Sequence, residues 1–226
     1  MLYTAESVRD NIRNREGKRV FYLGKGDSLT PGARDWLRQE RIEILNAELA
    51  KPDRFRLQNG GYLEEKPEHM THLNAEILVS KTHPRIAFRG AIDTLEAELI
   101  LAQLSAPAFS EKLEEILSLA RTIIRCDVLE EPLVTDKLCG LSQADLRRRS
   151  HFPQEYYGIP HFMPSAADGE ALARLNRARC AAREAELRAV DAFSDREGNP
   201  TRPDFLRAMN RMSSMLYILM LEEKSR

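Results

Sequence analysis

Cysteine is scarce in this chain of 226 residues: Cys126, Cys139 and Cys180 are an odd, scattered set without C-x-x-C spacing. Neither a disulfide framework nor a zinc knuckle is indicated, and a reducing cytoplasm is the expected setting. No run of about 18 apolar residues occurs, and the first twenty residues are mostly polar and charged, so no membrane span and no secretion signal is expected. Charge of one sign is also missing. Lys+Arg at 34 against Asp+Glu at 35 leaves a net −1, so no electrostatic case arises for nucleic acid or an anionic membrane. What remains, 42% hydrophobic and 31% charged, suits a globular chain with enough length to bury a core without staples.

The opening 1–50 read as a small strand–helix–strand module. Val20-Phe21-Tyr22-Leu23 is β-prone and ends at the turn Gly24-Lys25-Gly26-Asp27. Thr30-Pro31 then starts a helix, a hydroxyl cap followed by proline at the first helical position. Ile42-Glu43-Ile44-Leu45 alternates like a second strand. Residues 51–80 are expected to be a connector, broken most clearly at Asn59-Gly60-Gly61. From 81 to 226 the apolar period is helical. One helix is expected from about Arg85 to Gln103, with Ile92, Leu95, Leu99 and Ala102 on one face. A second is expected from Phe109 or Ser110 to about Val128, with Leu113, Ile116, Leu117, Ala120 and Ile124 inward. A short one starts near Ser142, whose Ser-Gln-Ala-Asp spacing matches a capping box. Residues 151–164 (HFPQEYYGIPHFMP) hold three prolines and four aromatics and are expected to exclude a regular helix. Long helices are expected from about Asp168 to Ala192 and from Pro203 to near Glu222. The fold expected is mainly α, an up-and-down bundle with a small N-terminal α/β module.

Asn176, Arg179, Arg183 and Glu186 fall on one helical stripe at i, i+3, i+7 and i+10. Two arginines so placed suit a phosphate or carboxylate by their planar forks. Because Arg174, Arg177 and Arg188 lie on the same helix, composition alone favours a solvated face. The last helix lines up Asn210, Ser213, Ser214 and Tyr217, either donors for a ligand or a solvent face. His69 and His72, at i and i+3, have no third ligand nearby and are not expected to hold a metal. Gly24-Lys25-Gly26-Asp27 lacks P-loop spacing and reads as a turn.

Three ordered blocks over roughly residues 60–220 resemble the corrinoid adenosyltransferases, in particular their ethanolamine-utilisation branch. Lys81-Thr82-His83-Pro84-Arg85-Ile86 through Gly90-Ala91-Ile92-Asp93 resembles "K-x-x-P-R-I/V…G-x-I/V-D-E-L" of the related propanediol-utilisation type. Residues 175–190 (LNRARCAAREAELRAV) resemble "L-H-x-A-R-x-x-x-R-R-A-E-R", and residues 209–219 (MNRMSSMLYIL) resemble "L-N-R-L-S-D-x-L-F". KPEHMTHL and HFPQEYYGIPHFMP are similar to segments of the ethanolamine branch.

The resemblance implies a five-helix bundle, usually trimeric with sites between subunits, that moves the 5′-deoxyadenosyl group of ATP to the cobalt of reduced cobalamin. Positioning and charge neutralisation would then be the protein's main tasks. It implies that Arg183 holds the triphosphate, that Glu186 and Asn210 fix the nucleotide, and that Arg179 pairs with Asp93 across the subunit boundary. An aromatic before the arginine helix would fill the lower corrinoid face, with Phe162 the first choice and Tyr156 and Tyr157 the alternates. The glycines of the family's T-G-D-x-G-x-T phosphate loop are absent. Lys66, Thr71, His72 and Lys81 are the expected substitute for it. The His…Cys-Cys-x-x-Cys metal cluster of many branch members is also missing, since residues 50–65 hold no cysteine or histidine. No structural zinc or iron is therefore expected, only Mg²⁺ accompanying ATP. Ser213-Ser214 replaces the family's "S-D". Implied partners are a flavoprotein or other reductase, a homo-trimer and, through the LTPGARDWL segment, microcompartment proteins. The competing readings are a corrinoid escort without turnover and a microcompartment tether.

Overall fold

The computed structural model describes residues 1–15, 18–46, 55–63 and 65–226 and divides into two units, Met1–Pro67 and Glu68–Arg226. In the first, β1 (Leu2–Tyr3) lies parallel to β4 (Ser28–Leu29), and α1 (Ala5–Arg9) starts at a capping box between Thr4 and Ser7. The pair β2 (Arg13–Arg15) and β3 (Lys18–Leu23) is antiparallel. The chain then crosses through α2 (Pro31–Gln39) to bring β5 (Glu43–Asn46) parallel to β3. Thr30 caps α2 by accepting the Ala33 N–H, and Pro31 follows at a position whose N–H has no helical partner. Val8, Phe21, Leu29, Ala33, Leu37 and Ile42 make this unit's core. Of the expected connector, residues 51–54 and 64 lie outside the described residues. The rest of the stretch to Pro67 contains a hairpin that its polar composition hid. There β6 (Phe55–Leu57) pairs with β7 (Tyr62–Leu63) around Gly60, whose φ of +89° requires glycine.

The second unit opens with the hairpin β8 (Met70–His72) and β9 (Ile77–Ser80), turned by the Asn74 side chain, which accepts the Glu76 and Ile77 N–H groups. Then come α3 (Pro84–Ser105), a 3-10 turn at Pro107–Phe109, α4 (Ser110–Leu129), the two-residue hairpin β10 (Lys137–Leu138) and β11 (Leu141–Ser142), and α5 (Gln143–His151). The chain continues through α6 (Pro153–Tyr157), a 3-10 turn at Ala166–Asp168, α7 (Gly169–Ala192) and α8 (Pro203–Lys224). Ser142 and Asp145 form the expected capping box of α5. α6 is a correction: Pro153 stands at its first position, where proline is tolerated, and the helix stops at Gly158 with φ +70° before Pro160.

α7 packs against α3 and α8, α4 against α3, and α5 against α8. Alanines 178, 181, 182, 185 and 189 form the buried face of α7, and their small side chains let neighbouring helices approach closely. Phe88, Phe193 and Phe205 meet with centroids 5.3–6.3 Å apart. On α4 it is Ile123, not Ile124, that is fully buried, and Ile124 packs at the margin of the core. Between Phe205 and Glu223 only Arg207 is exposed, so α8 is enclosed on nearly every side. Among the described residues no helix is long and apolar enough to cross a membrane.

Among the described residues the most buried charge is Asp127 on α4, 0% exposed. Two α3 arginines clamp it: Arg85 Nε donates to Oδ1 at 2.8 Å and Arg89 Nε to Oδ2 at 2.7 Å. Arg89 also donates to the Leu73 carbonyl at 2.6 Å, which ties the β8–β9 turn to the helices.

Candidate functional site

With alanines turned into the core, the flanking stripe of α7 carries Asn176, Arg179, Arg183 and Glu186, all but Arg183 half-buried. Arg179 donates through Nε and Nη2 to Asn176 Oδ1, at 3.2 and 3.0 Å, which sets its guanidinium in place. Arg183 is exposed and has no hydrogen-bond or ion-pair partner among the described residues, leaving its full donor fork available. Glu186 accepts from Asn210 Nδ2 at 3.0 Å across the α7–α8 seam. Asn210 Oδ1 in turn accepts from Arg211 Nη2 at 2.6 Å, which fixes the amide's orientation. Burial, with Arg147 and Arg207 nearby, holds the Arg211 pKa below its usual value.

Arg179, Arg183 and Asn210 border a cleft of ≈ 410 Å³. Its polar floor is Arg179 and Arg183 from α7 with Asn210, Ser213, Ser214 and Tyr217 from α8. The other wall is the end of α5 (Ser150, His151) and the loop residues His161, Phe162 and Pro164. The Tyr217 ring lies nearly parallel to both neighbours, 5.7 Å from His161 and 6.3 Å from Phe162. Burial pushes the Tyr217 phenol above its ordinary pKa, against the opposing pull of the Phe162 backbone N–H and Arg179. One face of the cleft is therefore cationic and hydrogen-bonding and the other is aromatic. Such a site suits a ligand that is anionic at one end and a flat ring at the other.

Of the residues singled out from the sequence, Arg179, Arg183, Asn210 and Phe162 line this cleft, and Glu186 joins it through Asn210. Tyr156 is exposed and packs against Arg148 and Arg149 instead, while burial raises the Tyr157 pKa outside the lining. Asp93 is an exposed residue of α3 without a hydrogen-bond or ion-pair partner among the described residues, and it does not line the cleft. Nor do Lys66, Thr71, His72 and Lys81. Thr71 is half-buried opposite Val79, His72 is exposed opposite Leu78, and the Lys81 N–H donates to the His69 carbonyl at 2.9 Å. Lys66 is an exposed residue of the first unit. His151 and His161 were missed. Their signal was the doubled His-Phe of HFPQ and HFMP, two ring pairs in one proline-rich stretch. Among the described residues no group of three or more His, Cys, Asp or Glu is placed to hold a metal ion.

The sequence model of a family described as cobalamin adenosyltransferase matches residues 61–223. A corrinoid adenosyltransferase EutT of Escherichia coli K12 is 39% identical over 158 residues, 70% of this chain and 59% of that protein. The protein of the same name from Salmonella typhimurium LT2 is 37% identical over the same shares. The chain thus spans about 59% of the length of the curated relatives it matches. No solved structure matches it significantly.

Proposed function

Because the chain belongs to the cobalamin adenosyltransferase family, we propose that its cleft transfers the 5′-deoxyadenosyl group of ATP to the cobalt of cob(I)alamin. The observation that carries the proposal is the pairing, across one cleft, of two α7 arginines with an aromatic wall. In the reaction the cobalt(I) electron pair forms the bond to C5′, and the C5′–O bond breaks with its electrons leaving on the triphosphate. The leaving group gains charge as it departs. An unpartnered guanidinium is suited to receive it, because hydrogen bonds between ionised groups are about twice as strong as neutral ones.

In this reading Arg183 binds the triphosphate and Arg179 supports it. Glu186 and Asn210, already hydrogen-bonded to one another, fix the nucleoside. Mg²⁺ enters with the nucleotide, held by phosphate oxygens, as is usual for a cation that keeps most of its ligand sphere outside the protein. Phe162 offers its ring to the lower corrinoid face. Lys66, Thr71, His72 and Lys81 are read as the phosphate-binding residues that stand in for the family's glycine loop, and Asp93 of one subunit pairs with Arg179 of the next. That pairing is supported by the absence of another partner for Asp93 among the described residues. The bundle of 81–226 is read as the family's five-helix form, built on α3, α4, α5, α7 and α8, and the protein as a homo-trimer. A reductase would supply the cobalt(I) state. The 1–50 module would serve association with a microcompartment in the cytoplasm.

The test is an anaerobic mixture of protein, ATP, Mg²⁺ and chemically reduced cobalamin, followed by the absorbance change on forming the cobalt–carbon bond. Turnover is expected. Cobalamin binding without turnover would replace the proposal with the escort reading, and no binding would favour a tether.

A further inference from the structure

The loop that carries Phe162 has no regular secondary structure between Gly158 and Ser165, and its Met163 is 91% exposed. The Phe162 ring itself packs at the margin of the helical core, where the α8 residue Tyr217 stacks beside it. The Tyr217 hydroxyl lies 2.9 Å from His161 Nδ1, and His161 Nε2 lies 3.2 Å from the His151 carbonyl at the end of α5. A carbonyl only accepts, so in the neutral ring Nε2 carries the proton and Nδ1 accepts from the Tyr217 O–H. The result is a two-bond strap from α8 through His161 to α5, with all three rings stacked in series: His161, Tyr217, Phe162. Phe162 also lies under the Lys224 ammonium, 5.6 Å from the ring centre, and Lys224 is itself held by Asp168.

We propose that Tyr217 and His161 are positioning residues for the corrinoid: their hydrogen bond holds the Phe162 ring as a preset wall of the cleft. The proposal rests on the adenosyltransferase reading above and adds to it residues that act through Phe162. A flat macrocycle arriving at a prefixed ring does not have to order an eight-residue loop first, so the strap acts on corrinoid affinity and leaves ATP alone.

The experiment titrates cob(II)alamin into ATP-loaded protein by absorbance and runs steady-state kinetics on the same samples. Tyr217→Phe keeps the ring and removes the O–H. It should weaken cobalamin binding and raise its KM roughly 3- to 10-fold, the size of one lost hydrogen bond. The KM for ATP and kcat at saturating cobalamin should stay within about two-fold of wild type. The spectral shift of bound cob(II)alamin should shrink in parallel. His161→Leu should match Tyr217→Phe, and His161→Asn, whose Oδ1 can accept in place of Nδ1, should bind cobalamin more tightly than His161→Leu. Wild-type affinity and spectral shift in both Tyr217→Phe and His161→Leu would overturn the strap. Wild-type protein that binds cobalamin without turnover would overturn the catalytic reading while the titration still tests the strap. Failure of wild type to bind cobalamin would overturn both.

Discussion

At the scale of single residues, two side chains make opposite use of charge. His83 stands before Pro84 and caps α3, its Nδ1 accepting the Arg85 N–H at 3.2 Å. Burial first, and then the Arg85 and Arg89 charges, hold its pKa below the usual 6.5. Protonation would turn the accepting nitrogen into a donor and set a third positive charge beside two. The native state therefore binds fewer protons than the unfolded chain. Stability should be level above about pH 6.5, fall as pH drops from there through the lowered native value, and level off again. His83→Asn, which keeps an accepting oxygen at the cap, should flatten that slope in urea titrations run between pH 5 and 7. Arg183 does the reverse, presenting a charge with no partner among the described residues. Arg183→Ala should weaken ATP binding roughly 10- to 100-fold with the melting temperature unchanged. An ATP affinity equal to wild type by calorimetry would remove it from the phosphate site. The α7 stripe that holds Arg183 was legible from spacing alone. What spacing could not decide was solvated face against anion site, because that depends on α8 and on a loop distant in sequence.

Among the elements, those with local chemical signals were readable. Pro31, Pro84 and Pro203 each open a helix, Thr30 and Ser142 cap theirs, and the long apolar periods place α3, α4, α7 and α8 within a few residues. The hairpins β6–β7 and β8–β9 were not readable, since strands of two to four residues are too short to show alternation. The Asp127 clamp was equally hidden. In the run Ile123-Ile124-Arg125-Cys126-Asp127 the carboxylate sits on a buried face, and only the fold brings Arg85 and Arg89 to it. That clamp joins α4, α3 and the β8–β9 turn. Asp127→Asn keeps the shape but leaves two arginines, 18% and 15% exposed, short of an anion. The cost should be about 3 kcal/mol or more by denaturant unfolding. Protection of the Leu73 and Ile77 amides from exchange should fall with it, because Arg89 would lose the partner that holds it under the turn.

For the whole molecule, the proposed assembly makes a prediction that no single subunit can meet. Asp93→Asn and Arg179→Ala should each lose activity while remaining folded. Mixed and refolded together they should regain part of it, because some junctions would again join an intact Asp93 to an intact Arg179. Hetero-oligomers that form without any recovery would refute the inter-subunit pair. Here the sequence was informative through family wording more than through physics. Periodicity yields helices that pack on one another, but which exposed residues meet on another copy is a property of no one chain.

One further consequence lies in the enclosure of α8. Four of the seven methionines, Met209, Met212, Met215 and Met220, are on that helix, each no more than 1% exposed, whereas Met163 is 91% and Met1 79% exposed. Dilute hydrogen peroxide should therefore convert Met163 and Met1 to sulfoxide at the rate of a free peptide. The α8 methionines should react only during the rare openings of the bundle, and peptide mass spectrometry would time the two classes separately. A sulfoxide formed on α8 would put a polar oxygen into the core and oppose reclosing, so oxidative damage at this helix should be self-propagating, each lesion raising the odds of the next.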